Sequence, residues 1–418
     1  MTIKSRLKIM IFLQFFVWGS WLVTLGSYMF NTLHFTGSEV GLVYSSIGLA
    51  SLIMPSLIGI IADRFVKANK LYGILHFLGA ICLFIAAKVS DPTLLFWVML
   101  FNAMVYMPTI SLGYTISYFG LEKEGHDTTK TFPSVRVYGT VSFILALWTI
   151  SLFGFELSNM QLYIGSGAAL LLALFSLALP DCPTSTAKKN ASLVSRLGLD
   201  ALVLFKQKKM AVFFLFAMLL GAALQINTTF ADPFIHDFAL NPSFKDSLAV
   251  KYPAILLSIG QISEVVFILA IPFFLRRFGI KTVILLSMVA WTLRFVLFAF
   301  GEPSGLGFSL LLLSMIVYGA AFDFFNISGS IFVEKEVDSS IRGSAQGLFM
   351  TMVNGLGTYL GAIISGKIVD YFTVDGIKDW QNIWLIFGAY TIVLAIIFAV
   401  SFKYKHDRDA MKDINKIA

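Results

Sequence analysis

Long apolar stretches alternate with short polar connections along almost the whole chain of 418 residues. A helix of about 20 apolar residues crosses a bilayer core of about 30 Å, so each stretch is long enough to span. The pattern predicts an all-α membrane protein with twelve transmembrane helices. The predicted spans cover residues 9–30, 39–62, 71–88, 93–118, 134–154, 160–179, 210–232, 252–275, 282–300, 305–332, 343–366 and 381–402.

The distribution of Lys and Arg residues predicts the topology. If both termini are cytoplasmic, 24 of the 31 basic residues lie inside, beginning with Lys4, Arg6 and Lys8. Four lie outside and three lie within spans. This asymmetry follows the positive-inside rule. The first apolar run has no small-residue cleavage site after it, so we expect an uncleaved first helix rather than a signal peptide.

The connection at residues 181–209 divides the spans into two groups of six. Six-span halves joined by a basic linker are typical of transporters built from repeats. We therefore predict an N-terminal bundle at 1–180, a cytoplasmic linker at 181–209, a C-terminal bundle at 210–403 and a cytoplasmic tail at 404–418. The apolar-rich stretch Leu197–Phe205 of the linker is either a helix lying in the membrane interface or a plain tether.

Composition agrees with this picture and excludes several other classes. Only 13% of the residues are charged, against about 25% in soluble domains. The net charge of +7 is spread between spans and forms no basic stripe, so we expect no nucleic-acid partner. Cys82 and Cys182 provide neither a disulfide framework nor metal-ligand spacing. No phosphate-binding loop and no catalytic His motif occurs, so we expect no cofactor, no metal site, no enzyme activity and no ATP-driven step.

Four charged residues lie within predicted spans away from the obvious loops: Arg136, Glu264, Arg294 and Asp323. Charges at this depth are costly and usually mark function. A poorly hydrated cavity disfavours the ionised form of Asp323, which would let it load a proton on one side and release it on the other. The alternative is a permanent structural pair with Arg136 or Arg294. Arg136 could also extend to the cytoplasmic interface, and Arg294 is expected to serve helix packing or a salt bridge.

Uncharged polar residues accompany these charges on shared helix faces. Gln261 lies three residues before Glu264, Gln225 is followed by Thr228 and Thr229, and Thr140 and Phe143 follow Arg136. Amides, hydroxyls and aromatic rings suit a neutral solute with a flat ring and hydroxyl groups. From these residues alone, sugars, nucleosides and neutral drugs all remain open.

The connection after the second span carries Gly59, Asp63 and Arg64, followed by Lys67 and Lys70. This order resembles the signature loop of the major facilitator superfamily. The resemblance implies that Gly59, Asp63 and Arg64 form part of a cytoplasmic gate. Ordinary positive-inside charge would account for the basic residues, but not for Asp63 at a helix end.

Several stretches resemble the nucleoside:proton symporter branch of that superfamily. They are FLQFFVWGSW at 12–21, FPSVRVYGT at 132–140, QISE at 261–264, FDFFNISGSIFVEKE at 322–336 and SAQG at 344–347. The resemblance covers nearly the whole chain in order. It implies proton-driven uptake of nucleosides, xanthosine being favoured, across the bacterial inner membrane by alternating access.

The same resemblance implies a set of substrate-binding residues. Carried over position by position, they are Arg136, Thr140, Phe143, Gln225, Gln261, Glu264, Phe322 and Asp323, with Asp323 as the proton-coupling group. The family pattern after Gln225 has threonine then asparagine, whereas here Asn227 precedes Thr228. This swap turns the amide by about 100° around the helix, so we include both positions as candidates.

Other functions remain as alternatives at this point. They are a broad-specificity nucleoside importer, a facilitator of another neutral solute without proton coupling, and a membrane-embedded enzyme or receptor. The expected partners are the nucleoside, the proton and the lipid bilayer, and we expect a monomer.

Overall fold

The computed structural model describes residues 1–184 and 199–405, without the side chains of residues 63, 64 and 129. The chain forms two units, Met1–Leu197 and Gly198–Ala418, and the division falls within the predicted linker. Each unit consists almost entirely of helices. A backbone in hydrocarbon must satisfy its hydrogen bonds internally, and the α-helix does so within one segment.

The described part of the N-terminal unit contains seven α-helices and one short 3₁₀ turn at Ser176–Ala178. The α-helices are α1 (Ile3–Gly19), α2 (Leu25–Asn31), α3 (Gly37–Arg64), α4 (Ala68–Ala86), α5 (Pro92–Lys123), α6 (Thr128–Leu152) and α7 (Met160–Phe175).

The described part of the C-terminal unit begins with a 3₁₀-helix at Leu199–Lys206. Its α-helices are α8 (Lys208–Asp237), α9 (Leu248–Lys251), α10 (Pro253–Phe300), α11 (Gly305–Glu336), α12 (Arg342–Met350), α13 (Thr358–Tyr371) and α14 (Trp380–Ser401). A 3₁₀ turn at Phe238–Leu240 follows α8, and a π-helical segment at Thr351–Gly357 joins α12 to α13. Strands β1 (Thr373–Val374) and β2 (Ile377–Lys378) pair antiparallel before α14.

Within the described ranges, ten helices are long and apolar enough to cross a membrane, rather than the predicted twelve. The first predicted span is divided into α1 and α2 by a turn at residues 20–24. The eighth and ninth are joined in α10, whose 48 residues would measure about 72 Å if straight, more than twice a bilayer core. Gly279 interrupts α10 with φ of 77°, a backbone conformation that glycine adopts without steric cost. The predicted apolar stretches are therefore helical. The break at Gly279 falls between the predicted eighth and ninth spans, whereas the turn inside the first predicted span was not predicted.

Local sequence signals explain several helix ends. Thr36 caps α3, accepting a hydrogen bond from the backbone of Glu39, whose carboxylate accepts one from the Thr36 backbone. Asp91 caps α5 and accepts from the Leu94 backbone, directly before Pro92 at the first helical position. These caps place polar connections immediately outside the apolar spans.

The linker stretch that sequence left open is helical where it is described. Leu199–Lys206 buries Ala201 and Leu204, and the Phe205 ring lies 5.5 Å from the Phe214 ring of α8. Leu202 and Val203 are each 49% exposed. The segment thus packs on the C-terminal unit with one face while the other presents apolar side chains outward.

Each unit has its own packed interior. In the N-terminal unit, buried Leu7, Met10 and Ile11 of α1 pack with residues of α4 and α5, including Leu75 and Ile116. In the C-terminal unit, the Trp384 ring stacks on Phe295 with centroids 5.7 Å apart and an interplanar angle of 17°. These interiors hold the helices that carry the candidate residues.

Candidate functional site

Arg136 lies on α6 of the N-terminal unit and bonds to neighbouring helices. Its Nε donates a hydrogen bond of 2.9 Å to Tyr114 Oη of α5, and its guanidinium lies 4.4 Å from the centre of the Phe15 ring of α1. Gly139 permits this arrangement, because a Cβ there would lie 2.6 Å from Arg136 Nη1. Arg136 is therefore engaged inside the helix bundle, and the interpretation of a side chain extended to the interface does not describe this structure.

Thr140 and Phe143 follow Arg136 on α6, and both are half-buried. At Phe143 the backbone approaches α1 closely, since a Cβ added to Gly19 would lie 2.9 Å from the Phe143 carbonyl oxygen. The glycine at position 19 thus sets how near α1 and α6 come. These contacts hold the three predicted residues of α6 against the helix that carries Phe15.

A buried polar network of the N-terminal unit was missed by the sequence analysis. Gln14 is fully buried, donates to Thr109 Oγ1 at 3.1 Å and accepts from Tyr72 Oη at 2.8 Å. Tyr106 Oη donates to the Gln14 backbone carbonyl, and the Tyr106 ring stacks on Trp18 at 4.8 Å. The position of the Gln14 amide within the first apolar run could have indicated a buried polar group, but the sequence does not identify its partners.

Gln225 and its neighbours lie on α8 of the C-terminal unit. Gln225 Nε2 donates to Thr229 Oγ1 at 2.8 Å, so the shared face predicted from their spacing is realised as a hydrogen bond. Thr228 is half-buried and donates to the Leu224 carbonyl of its own helix. Asn227 faces another partner: its Oδ1 accepts a 2.7 Å hydrogen bond from Arg294 Nε of α10. Asn227 and Thr228, whose order differs from the family pattern, therefore have different surroundings.

Gln261 and Glu264 lie on the first part of α10, and both are half-buried. Gln261 Oε1 is a buried acceptor without a hydrogen-bond partner among the described residues. Glu264 interacts electrostatically with Arg294 and with Tyr318 of α11. This end of the site thus combines an amide oxygen that can still accept a bond with a carboxylate placed near a buried cation.

Asp323 is 3% exposed and lies in the interior of α11. Its Oδ2 has no hydrogen-bond partner within the described residues, and none of its neighbours there forms a salt bridge with it. Phe322, the preceding residue, is half-buried and stacks nearly parallel on Tyr318 with centroids 6.0 Å apart. The alternative of a permanent pair between Asp323 and Arg294 does not describe this structure, because the Arg294 nitrogens bond elsewhere.

The matching family decides the identity of the chain. The model of the nucleoside H+ symporter family matches residues 1–407. The chain belongs to the nucleoside H+ symporter family. It is 63% identical to xanthosine permease of Escherichia coli (strain K12) over 412 residues, which cover 99% of each chain. It is 55% identical to nucleoside permease NupG of Escherichia coli (strain K12), with 98% of each chain covered.

A solved structure agrees over almost the whole symporter chain. The crystal structure of nucleoside transporter NupG, in a D323A mutant, superposes with a TM-score of 0.94 at 55% identity, covering 96% of this chain and 100% of that chain. The predicted fold class, an all-α membrane protein of the major facilitator type, is confirmed. The family predicted from the sequence motifs is confirmed as well.

The predicted gate residues of this symporter lie at the end of α3. The side chains of Asp63 and Arg64 lie outside the described residues, so their predicted role stays a prediction. Gly59 is half-buried, and a Cβ added there would meet nothing within 4 Å. The structure therefore has room for a larger side chain at position 59, and Gly59 is not needed there for close packing between helices.

The polar connection after α3 is tied to the end of the sixth predicted span. Lys67 forms a salt bridge with Asp181, and Asn69 Nδ2 donates to Asp181 Oδ1 at 3.3 Å. The hydrogen bond from Lys67 is the main cause that lowers the pKa of the Asp181 carboxyl below its ordinary value. The symporter thus joins its signature loop to residue 181, a partner that the sequence did not indicate.

Each unit offers groups suited to reversible binding. In the C-terminal unit these are a buried carboxyl, an amide oxygen without a hydrogen-bond partner among the described residues, and two parallel aromatic rings. In the N-terminal unit it is a guanidinium held over a ring. Aromatic faces and hydrogen-bonding groups together suit a flat heterocycle with attached hydroxyls. The absence of a metal or other cofactor stays a prediction.

Proposed function

We propose that this symporter imports nucleosides together with protons across the bacterial inner membrane, with xanthosine as the favoured substrate. Family membership and the 63% identity to xanthosine permease support the choice of substrate. The 55% identity to nucleoside permease NupG supports a second candidate, a broader range of nucleosides. In both cases the protein acts as a transporter rather than an enzyme, and the proton gradient drives accumulation.

The observation that carries the proposal is the state of Asp323. A carboxyl that is 3% exposed, with one oxygen that has no hydrogen-bond partner in the described part of the chain, is stabilised by protonation, because the ionised form loses its hydration. In an alternating-access cycle, such a group binds a proton when it faces one side and releases it when hydrated on the other. The D323A mutant of NupG, whose crystal structure resembles this chain, carries its change at an aspartate of the same number.

The substrate-binding roles follow from side-chain chemistry. Phe322 supplies an aromatic face for the base, while Gln261 and Glu264 accept hydrogen bonds from ribose hydroxyls or base N–H groups. Gln225 and Thr228 add polar contacts from α8. We assign Arg136, Thr140 and Phe143 to substrate binding from the N-terminal unit, and Asn227 to a supporting position, because Arg294 occupies its oxygen.

The remaining assignments complete the transport cycle. We propose that Gly59, Asp63 and Arg64 act at a cytoplasmic gate and that both termini face the cytoplasm. The excess of basic residues in the predicted inner loops supports this orientation. We further propose that one copy of the chain is the functional unit.

The test is uptake in a bacterial strain that lacks its own nucleoside transporters. Cells expressing the symporter receive labelled xanthosine, with unlabelled xanthosine, uridine or adenosine as competitor and with or without an uncoupler. We expect accumulation that the uncoupler abolishes, and strongest competition by xanthosine. Accumulation that resists the uncoupler would refute proton coupling, and equal competition by all three nucleosides would favour the broad-specificity candidate.

A further inference from the structure

Arg294 is a buried cation in the membrane-spanning part of the C-terminal unit. It is 2% exposed, and each nitrogen of its guanidinium has a partner. Nε donates to Asn227 Oδ1 at 2.7 Å, Nη1 donates to the Ser314 carbonyl oxygen, and Nη2 lies 3.9 Å from Met315 Sδ. Burying a charge is costly unless its hydrogen bonds are made, and the planar fork of arginine allows several at once. This side chain therefore connects α8, α10 and α11 at one point.

The guanidinium also contacts two aromatic rings. Its central carbon lies 4.7 Å from the centre of the Phe298 ring and 4.7 Å from the centre of the Tyr318 ring. Such cation–π contacts gain strength where water is excluded. Tyr318 packs in turn against Gly260, where an added Cβ would lie 3.0 Å from Tyr318 Cδ1, and stacks on Phe322. The position of the Tyr318 ring thus depends on two residues of α10, Gly260 before its break at Gly279 and Arg294 after it.

These contacts reach every helix of this unit that carries a candidate site residue. Asn227 is two residues from Gln225 on α8, Gly260 directly precedes Gln261, and Phe322 directly precedes Asp323. A shift of the guanidinium would therefore change the relative positions of all three groups. Arg294 is 2% exposed and each of its nitrogens already bonds a protein group, so we infer that its influence on a substrate is indirect.

The charge of Arg294 is equally relevant, because it interacts electrostatically with the Glu264 carboxylate. Asp323 interacts instead with Tyr318, the ring that the guanidinium contacts. The remaining titratable groups of α8 within its apolar part are Asp232 and His236, whose side chains lie 3.7 Å from each other. The fixed positive charge of Arg294 therefore offsets the Glu264 carboxylate, and Asp323 is left to be neutralised by a proton.

We propose that Arg294 is a positioning residue and a fixed counter-charge of the transport site. It holds Asn227 and the Tyr318–Phe322 ring pair in place, and its charge offsets that of the Glu264 carboxylate. Substrate affinity and the proton dependence of uptake therefore both depend on a residue that does not touch the substrate. This inference rests on the proposed function of the site.

Three substitutions separate geometry from charge. Arg294→Lys keeps the charge but cannot make the fork of bonds, Asn227→Ala removes one acceptor, and Arg294→Met removes the charge. Ser314→Ala is the matched control, because Arg294 bonds the Ser314 backbone carbonyl and not its hydroxyl. Each protein is purified, reconstituted into liposomes and assayed for xanthosine uptake against external pH, and its Tm is measured with and without xanthosine.

We expect Arg294→Lys and Asn227→Ala to raise KM about tenfold while Vmax changes less than about threefold, as loss of a buried charge-assisted bond implies. Their pH profiles should match that of the unchanged protein. Arg294→Met should in addition move the alkaline limb of the profile to higher pH by about one unit, because carboxylates without a nearby cation bind protons more strongly. Ser314→Ala should behave as the unchanged protein.

The inference is overturned if Arg294→Lys keeps the original KM, or if Arg294→Met and Arg294→Lys have superimposable pH profiles. Should Arg294→Met fail to fold, Arg294→Lys and Asn227→Ala still test the positioning role through KM. The proposed function is tested on the unchanged protein. The positioning role of Arg294 is tested by comparing the KM and pH profile of each variant with those of the unchanged protein. If the unchanged protein binds xanthosine in the Tm assay but does not accumulate it, the transport proposal fails while the positioning role is still read from the binding shift.

Discussion

Arg136 Nε donates a hydrogen bond of 2.9 Å to Tyr114 Oη, which joins α6 to α5 in the N-terminal unit. The bond and the Phe15 ring orient the guanidinium within the bundle. Arginine in such a setting presents its remaining N–H groups in a fixed direction. If Arg136 binds the nucleoside, its orientation by Tyr114 should affect affinity.

Tyr114→Phe removes the acceptor and keeps the ring. We expect KM for xanthosine to rise about three- to tenfold with little change in Vmax, since one hydrogen bond to a charged group is lost. The measurement is initial uptake rate against concentration. Tyr118→Phe is the control, because Tyr118 lies on the same helix and is 42% exposed. Equal KM values for both variants would show that Tyr114 does not orient a binding residue.

Asp323→Asn tests proton coupling. The amide has nearly the same shape but cannot bind and release a proton, so concentrative uptake should fall to the level of cells without the protein. Exchange of labelled for unlabelled xanthosine across liposomes needs no net proton movement and should persist at more than about a third of its normal rate. Glu302→Gln, in the polar connection before α11, is the control. Normal accumulation against a gradient in Asp323→Asn would remove this residue from the coupling mechanism.

Glu264→Gln tests the second carboxylate of the C-terminal unit. A neutral amide accepts hydrogen bonds more weakly than a carboxylate, so we expect the affinity for xanthosine to drop by about tenfold. Binding is measured as the shift of Tm with xanthosine concentration. Glu334→Gln, whose carboxylate pairs with Arg342 at 2.9 Å near the end of α11, serves as the comparison. Unchanged affinity in Glu264→Gln would place this residue outside the binding site.

The salt bridge between Lys67 and Asp181 predicts a pH dependence of stability. The pKa of Asp181 is lowered in the folded protein, so its contribution is present above its unfolded pKa of about 3.8 and is lost as the pH falls below that value. Asp181→Asn should therefore lower Tm at pH 7, and the difference from the unchanged protein should shrink as the pH falls below about 3.8. Lys67→Met should have the same effect, and the double variant should lose no more than either single change. Additive losses would show that the two residues act independently.

Close packing between α8 and the segment around the π-helix predicts a steric effect. A Cβ at Gly221 would lie 2.2 Å from the Val353 carbonyl oxygen, whereas at Gly343 it would meet nothing within 4 Å. Gly221→Ala should cost about 1–3 kcal/mol of stability through overpacking, and Gly343→Ala should cost far less. The readout is the Tm of each purified variant. A Tm for Gly221→Ala equal to that of Gly343→Ala would mean that the helices separate without penalty.

Much of the fold was predictable because hydrophobic length is a local property. Each apolar run is long enough to bury its own backbone bonds in a helix, and no other part of the chain is needed for that result. The break at Gly279 was also predictable, because the basic residues Arg276, Arg277 and Lys281 separate the eighth and ninth apolar runs. The turn at 20–24 was not, because it lies within an apolar run whose composition hardly differs from its flanks.

Helical spacing also predicted which polar residues share a face, as with Gln225 and Thr229. It could not predict which helix would lie opposite, because that depends on packing between segments far apart in the chain. Gln14 with Tyr72, Arg136 with Tyr114 and Lys67 with Asp181 are all pairings of this kind.

The sequence by itself therefore determined the membrane class, the helical segments, the family and the list of candidate residues, since each follows from local composition or from motif order. Only the tertiary structure decided the partners of those residues. It placed Arg294 against Asn227 and two aromatic rings. It also left one oxygen of Asp323 without a hydrogen-bond partner among the residues that the structure describes. The physical reason is that in a helix bundle the neighbours of a side chain come from other helices, whose rotation and height are set by packing of the whole unit.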